Sequence, residues 1–217
     1  GYAPDDTLVY TFSGGFVDLS GPVAVPITAW VDWAADAQHG NDTAFYNAIG
    51  IPIITNYPYY EDFEAGSNGW IINNGSEGTW EFGTPAKAVI NSASSGVNAF
   101  VNGGLTGSYN VNDNSYVEGP CFDFTNVCDP VISLDIWWNC EFSWDGMNIT
   151  MSTDEGTTWT LVGDFGDPVS WYNDNSIVGN PGGSETGWTG RNSTSNGSGG
   201  WITATHRLTG AAGVSSV

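Results

Sequence analysis

Residues 152–159 read STDEGTTW and fit the pattern S-x-D-x-G-x-T-W at every position. The stretch lies in a chain of short alternating apolar runs bounded by Gly, Asn and Pro, and no long segment places apolar residues at i, i+3, i+4 and i+7. Glu and Lys, the usual surface residues of helices, are scarce, whereas 30 glycines interrupt the chain. We therefore expect an all-β protein.

The pattern in residues 152–159 resembles the Asp-box hairpin, best known from sialidase propellers and also found in unrelated secreted β-proteins. The resemblance implies that Asp154 accepts hydrogen bonds from backbone N–H groups in the turn, that Gly156 has a positive φ, and that Trp159 folds back onto the strand pair. A sialidase binds its substrate carboxylate through three arginines, and this chain has two. A propeller would also repeat the motif in each blade. We interpret the stretch as a turn-forming device.

The charge of the chain limits its partners. It carries 24 Asp and Glu against 3 Lys and Arg, a net charge of −21. Phosphate groups are bound through Lys and Arg, so nucleic acid is not an expected partner. No run of 18 apolar residues is present, so membrane insertion is not expected. Because so many carboxylates repel one another, we expect cations to screen or bind them, with Ca²⁺ as a structural cofactor.

The first part of the chain contains three short predicted strands, LVYTF, VAVPITAWV and TAFYNAI, separated by SGG, SGP and HGND turns. They resemble the last strands of an Ig-like module from large bacterial surface proteins. Residues 1–50 are therefore predicted to be a partial Ig-like module. Residues 51–59, IPIITNYPY, contain two prolines and are predicted to be an extended linker.

The rest of the chain carries a series of short motifs in a fixed order. They are DFE…W (Asp62 to Trp70), W-x-x-G-x-P (Trp80 to Pro85), GP-x-FDF (Gly119 to Phe124), a DG turn (Asp145, Gly146) and the hairpin at 152–159. This order resembles the MAM-like jelly rolls of secreted Bacteroidota-type surface proteins. The resemblance implies that residues 60–217 form an antiparallel jelly-roll sandwich lacking its last strands, and that the protein is extracellular, either secreted or attached to the cell surface.

The same resemblance implies a metal site. In MAM-like jelly rolls the opening acidic strand lies near the turn after the central strand, so Asp62 and Glu64 are expected to face Glu141 and Asp145. The spacing of EDFE puts Asp62 and Glu64 on one side of a strand. Ca²⁺ prefers such carboxylate oxygens. The alternatives are that these acids are solvated surface groups, or that the loop around Asp113 holds the ion.

Aromatic residues indicate a second candidate site. Trp171, Tyr172 and Trp188 lie in a loop-rich region and are expected at the surface, where they could stack on a sugar ring. The alternative is that a loop or a partner chain covers them. Trp137 and Trp138 are adjacent, so in a strand they point to opposite faces and one of them should join the core.

Two covalent features are also predicted. Cys121 and Cys128 flank a six-residue loop and could close it as a local disulfide, with Cys140 as a buried thiol or paired elsewhere. Thr7 and Thr43 follow aspartate in DTL and DTA, which resemble the O-glycosylation signal of Bacteroidota secreted proteins.

These observations favour a structural function without catalysis. We expect a building block of a cell-surface adhesin or filament, completed by strand sharing, head to tail, with copies of itself or with adjacent repeats, because open sheet edges accept strands from neighbours. The alternative is a lectin-like carbohydrate-binding module of a secreted protein, with glycans as partners.

Overall fold

The computed structural model describes residue 19 and residues 24–31, 37–38, 40, 42–192 and 196–217. Contacts divide the chain into two compact units, Gly1–Ile51 and Pro52–Val217. Within the described ranges the regular structure is almost entirely β-strand, which confirms the all-β prediction, and the helical segment Pro181–Gly183 is a short 3-10 turn. No helix among these residues has the length and apolar character needed to cross a bilayer.

The strands are short and are numbered in chain order. They are β1 Ala24–Trp30, β2 Thr43–Ile49, β3 Ile53–Ile54, β4 Ile71–Asn73, β5 Glu81–Gly83, β6 Ala99–Val101, β7 Tyr116–Glu118, β8 Cys121–Phe122, β9 Val131–Ile136, β10 Thr150–Met151, β11 Thr160–Leu161 and β12 Ile202–Arg207. In the described part of the chain they pair two by two as β1–β2, β3–β8, β4–β7, β5–β6, β9–β12 and β10–β11. The finer jelly-roll and Ig-like topologies stay predictions.

The first unit contains an antiparallel hairpin of β1 and β2, in which Ala24 pairs with Ile49 and Trp30 pairs with Thr43. Both strands lie within segments that the alternation of the sequence predicts as strands, since β-branched and aromatic residues suit a pleated surface. The third predicted strand of this region, LVYTF at residues 8–12, lies outside the described residues.

The second unit includes the segment predicted as a linker. Ile53–Ile54 pairs in parallel with Cys121–Phe122, and the Cys121 N–H donates to the Pro52 carbonyl at 3.0 Å. On the other side of this strand, the Phe122 and Val217 backbones exchange hydrogen bonds of 2.9 and 3.1 Å. Within the predicted linker, Ile53–Ile54 is therefore a strand of the second unit.

The main core lies against the longest pair of the second unit, β9 and β12. It consists of Ile136, Trp138, Val162, Trp171, Tyr172, Trp188 and Ala204, all buried. Trp138 is 6% exposed, whereas its neighbour Trp137 is half-buried and packs edge-on against Trp201 with ring centroids 6.0 Å apart. The prediction that one of the two adjacent tryptophans joins the core is confirmed.

A second aromatic cluster forms around Phe63, whose ring makes edge contacts with Trp70, Phe82 and Phe100 at centroid distances of 5.7, 6.3 and 5.1 Å. Phe63 has a left-handed backbone conformation with φ of 63°. The EDFE segment is thus a turn, and the prediction that it is a strand is wrong. The left-handed conformation directs the ring into the cluster, and this packing offsets the strain that a non-glycine residue incurs there.

Candidate functional site

The Asp-box stretch forms the predicted hairpin between β10 and β11. The Asp154 carboxylate accepts hydrogen bonds from the Thr158 N–H at 2.8 Å, the Thr158 hydroxyl at 2.6 Å and the Ser152 hydroxyl at 2.8 Å. Gly156 has φ of 80°, and Trp159 is 49% exposed, with its ring 3.9 Å from where a Cβ on Gly156 would lie. Bonds to the Thr158 hydroxyl, the Thr158 N–H and the Ser152 hydroxyl hold the pKa of Asp154 below its ordinary value. The stretch is a self-contained turn.

The first half of the predicted calcium site is occupied by backbone contacts. One Glu64 carboxylate oxygen accepts the N–H groups of Val97 and Asn98 at 2.9 and 2.8 Å. Asp62 accepts the Glu64 N–H at 3.0 Å, as aspartates do in Asx turns. These two carboxylates cap turns, and Glu64 fastens the loop at residues 97–98 to the opening segment.

The second half of the predicted site is a tight turn in which the Asp145 N–H donates to the Glu141 carbonyl at 2.9 Å. The Tyr109 hydroxyl donates to the Asp145 carboxylate at 2.6 Å. Burial, followed by this hydrogen bond, raises the pKa of Tyr109. Beneath the turn, the fully buried Thr189 hydroxyl donates to the Asp145 carbonyl at 2.6 Å and accepts the Ser143 N–H at 3.1 Å.

The structure does not bring the quartet Asp62, Glu64, Glu141 and Asp145 together. Within the described ranges, no three His, Cys, Asp or Glu side chains form a group that could hold a metal ion. The left-handed turn at Phe63 directs Glu64 to one loop, while Asp145 is held by Tyr109. The predicted quartet therefore does not form a cluster of carboxylates among the described residues, and Ca²⁺ binding stays a prediction.

The surface position predicted for Trp171, Tyr172 and Trp188 is wrong. Their exposed fractions are 3%, 2% and 0%. The Trp171 and Trp188 indoles donate to backbone carbonyls of Val162 and Ser170 at 2.9 and 3.0 Å. These rings form the core of the second unit, so they offer no face on which a sugar could stack.

A different tryptophan is exposed in the turn above that core. Trp144 is 58% exposed, and its carbonyl accepts the Gly179 N–H at 2.8 Å. A Cβ on Gly179 would lie 2.4 Å from that carbonyl oxygen, so only glycine allows this approach. The W-D-G sequence at residues 144–146 is a turn signal that could have pointed to an exposed aromatic ring.

The predicted disulfide between Cys121 and Cys128 is not formed. Both residues are free thiols, and Cys140 is free as well. After Cys121 the chain stays extended to Phe124, and only there does a turn begin, closed by the Val127 N–H on the Phe124 carbonyl at 2.9 Å. Burial raises the pKa of Cys140.

One of the two predicted glycosylation sites lies within the described residues. Thr43 is exposed at the start of β2. Thr7 lies outside the described residues. Glycosylation at both positions stays a prediction.

His206 and Asp167 form a close pair, with His206 Nε2 lying 2.8 Å from the Asp167 carboxylate. The other ring nitrogen contacts the Arg207 carbonyl at 2.7 Å, and the ring lies against Trp171 at a centroid distance of 4.8 Å. The Asp164 N–H and then His206 lower the pKa of Asp167. Both ring nitrogens are engaged, so the pair fastens the loop at Asp164–Asp167 to β12.

The β1–β2 hairpin presents a candidate interface. Trp30, Phe45 and Tyr46 are 70%, 80% and 70% exposed. Neither strand carries a charged residue. The Val31 N–H donates to the Asp42 carbonyl at 2.9 Å, so these two residues form a hydrogen-bonded pair. Because hydrogen-bonded and non-hydrogen-bonded pairs alternate along an antiparallel ladder, this bond shows which residues of β2 direct their backbone groups toward β1.

That register leaves the outer edge of β2 without a partner among the described strands. The backbone groups of Phe45, Asn47 and Ile49 point away from β1, and no described strand pairs with them. The outer edge of β1 is interrupted at Pro26, which has no N–H to donate. The sequence alternation predicted these strands but could not show which of their edges lacks a partner among the described strands.

No known protein family, curated protein or solved structure matches this chain. The likeness to MAM-like jelly rolls and Ig-like modules therefore stays a prediction from the motifs.

Proposed function

We propose that this chain is a non-enzymatic extracellular module that builds a cell-surface adhesin or filament by sharing strands with copies of itself or with adjacent repeats. The supporting observation is the outer edge of β2, with which no described strand pairs, next to large exposed apolar side chains on both faces of the hairpin. Isolated two-stranded sheets are marginally stable in water. Exposed, uncharged strand edges favour pairing with another chain.

The occupant that we propose for this edge is a strand of a second copy. The net charge of −21 repels copies from one another over most of their surface. The strands β1 and β2 lack charge, so the hairpin is a place where two copies can approach closely. Backbone pairing provides affinity there, and Phe45 and Tyr46, on opposite faces, provide apolar contact area.

The experiment measures the mass of the chain in solution by light scattering over a range of concentrations, together with electron microscopy of the concentrated sample. The native chain is expected to form linear assemblies. Asn47→Pro removes one outward N–H from β2 and is expected to shorten or abolish them, whereas Asn47→Ala keeps that N–H and the assemblies.

A second pair of variants tests the apolar faces. Tyr46→Lys is expected to weaken assembly, and Tyr60→Lys, at a tyrosine of the second unit that is 77% exposed, introduces the same charge and is expected to leave it unchanged. A chain that stays monomeric at every concentration would contradict the proposal. So would equal assembly by the native chain and Asn47→Pro.

A further inference from the structure

Asparagine is followed directly by glycine at four places in the chain, and these pairs carry their own chemistry. They are Asn68–Gly69, Asn74–Gly75, Asn102–Gly103 and Asn196–Gly197. The backbone nitrogen after an asparagine can attack the side-chain amide carbon, and glycine hinders this attack least because it has no side chain. All four pairs belong to the second unit, and the contacts of each asparagine decide how readily it can react.

Hydrogen bonds hold the asparagine side chain at two of these pairs through neighbouring residues. The Asn68 amide donates to both Glu61 carboxylate oxygens, at 2.9 and 3.0 Å. The Asn74 amide accepts the Trp80 N–H at 2.9 Å and donates to the Trp80 carbonyl at 3.1 Å. A side chain bonded in this way must break those bonds before its Cγ atom can meet the next backbone nitrogen.

At a third pair, one hydroxyl group holds both of the reacting groups. The Thr79 hydroxyl contacts the Asn102 Oδ1 atom at 3.0 Å and accepts the Gly103 N–H at 3.0 Å. The amide that would be attacked and the nitrogen that would attack it are therefore both engaged. Reaction at Asn102 requires the loss of both contacts.

Asn196 differs from the other three asparagines. Its side chain is exposed, and no described residue forms a hydrogen bond with its amide group. The N–H of Gly197 makes a long bond of 3.3 Å to the Arg191 carbonyl. A Cβ on Gly197 would lie 2.4 Å from the Asn192 nitrogen, so the fold requires glycine at this position. The fold thus places the least restrained of the four asparagines before a glycine that it cannot replace.

The backbone of Asn196, in contrast to its side chain, is bound to the core. Its carbonyl accepts the Trp138 Nε1–H at 2.9 Å and the Asn173 amide at 3.1 Å. Two residues further on, the Ser198 hydroxyl accepts the Trp138 N–H at 3.1 Å. Trp138 is buried in the main core of the second unit. A change in the course of the backbone at Asn196 therefore reaches a core tryptophan.

We propose that Asn196 is a site of spontaneous deamidation and isomerisation, and that this reaction alters the core contact of Trp138. The Gly197 nitrogen forms a bond to the Asn196 Cγ atom, the Cγ–Nδ2 bond breaks, and the Gly197 proton leaves with the amide nitrogen as ammonia. Water then opens the resulting succinimide ring. Attack at the Cγ carbonyl gives aspartate, and attack at the main-chain carbonyl gives isoaspartate. The proposal is independent of strand sharing, because every residue involved belongs to the second unit.

The two products have different consequences for the core. Aspartate restores the original main chain and adds one exposed negative charge. In isoaspartate the main chain runs through Cγ, so the former Asn196 carbonyl becomes part of a free carboxylate beside Trp138. An added carbon lengthens the chain there, and a carboxylate held against a buried indole is costly to desolvate. Isoaspartate is therefore expected to loosen the core, whereas aspartate is not.

The first test incubates the full chain at neutral pH and physiological temperature. Pepsin digestion in acid then stops the reaction, and mass spectrometry of the peptides measures the conversion at each of the four pairs. Asn196 should convert first, since each hydrogen bond that must break slows the reaction by roughly two- to tenfold. In urea the four rates should become similar. Equal rates at Asn196 and Asn74 in the folded chain would overturn the proposal, as would a preference for Asn196 that persists unchanged in urea.

The second test follows the thermal midpoint during the same incubation. The native chain should lose stability as isoaspartate accumulates. Asn196→Gln is the matched control, because glutamine keeps the amide but reacts far more slowly through a larger ring, and its midpoint should stay constant. Freshly prepared Asn196→Asp should begin at the native midpoint. Equal falls in the native chain and Asn196→Gln would overturn the proposed effect on the core. So would a lowered midpoint in fresh Asn196→Asp, which would attribute the effect to charge alone.

Discussion

Replacement of Thr189 by valine tests how the second unit holds its longest irregular region. Thr189 is completely buried, and its hydroxyl bonds the Asp145 carbonyl at 2.6 Å and the Ser143 N–H at 3.1 Å. Valine keeps the shape of threonine but has no hydroxyl, so the Ser143 N–H loses its partner, while the Asp145 carbonyl keeps the Cys140 thiol at 3.3 Å. A polar group left unpaired inside the protein costs about 1–3 kcal/mol. The variant should therefore lower the free energy of unfolding by about 1–3 kcal/mol.

Differential scanning calorimetry measures this effect. In a domain of this size, 1 kcal/mol corresponds to a shift of about 2–4 °C, so the midpoint should fall by roughly 2–12 °C. Thr160→Val is the matched control, because Thr160 is exposed and its hydroxyl makes one long contact of 3.3 Å with the Met151 carbonyl. It should change the free energy of unfolding by less than about 0.5 kcal/mol. A Thr189→Val midpoint equal to that of the control would refute the role assigned to the buried hydroxyl.

Three further predictions concern acid stability, thiols and cations. The pKa of Asp154 in the folded chain is lowered, so its carboxylate stabilises the fold above the ordinary pKa of 3.8 and loses that effect as the pH falls through the folded value. The difference in unfolding free energy between the native chain and Asp154→Asn should therefore shrink on acidification. A difference that stays constant with pH would contradict this. Under denaturing, non-reducing conditions a thiol reagent should titrate three cysteines, and in the folded chain the exposed Cys128 should react before Cys140. If only one thiol reacted under denaturing conditions, a disulfide between Cys121 and Cys128 would be indicated after all. CaCl₂ should raise the thermal midpoint more than NaCl of equal ionic strength, with reversal by a chelator; equal shifts would mean screening without bound Ca²⁺.

The sequence predicted those features that depend on neighbouring residues. The hairpin at 152–159 forms because Ser152, Asp154 and Thr158 bond one another within a single turn. Strands β1 and β2 follow from alternation over seven residues each. Such patterns need no knowledge of the tertiary structure.

Features that depend on distant residues were not predictable in this way. A region rich in Gly, Asn and Ser indicates surface loops, yet Trp171 and Trp188 are core residues. Distant side chains make this possible by satisfying the irregular backbone. The Asn173 side chain accepts the Thr189 N–H and donates to the Thr189 carbonyl, both at 2.9 Å.

The acidic candidates were misplaced for a related reason. The period of two that placed Asp62 and Glu64 on one face assumes an extended backbone. The aromatic cluster around Phe63 favours a left-handed turn instead, and no local pattern encodes that packing.

The segment that begins with β8 and runs to Phe124 has neighbours on both sides, and their directions have a practical consequence. Ile53 runs parallel to it and Val217 antiparallel, so residues 52 and 217 leave this strand at the same end. They are separated by two strand spacings, about 10 Å. A pulling force applied between residues 52 and 217 would break the hydrogen bonds to the central strand one at a time.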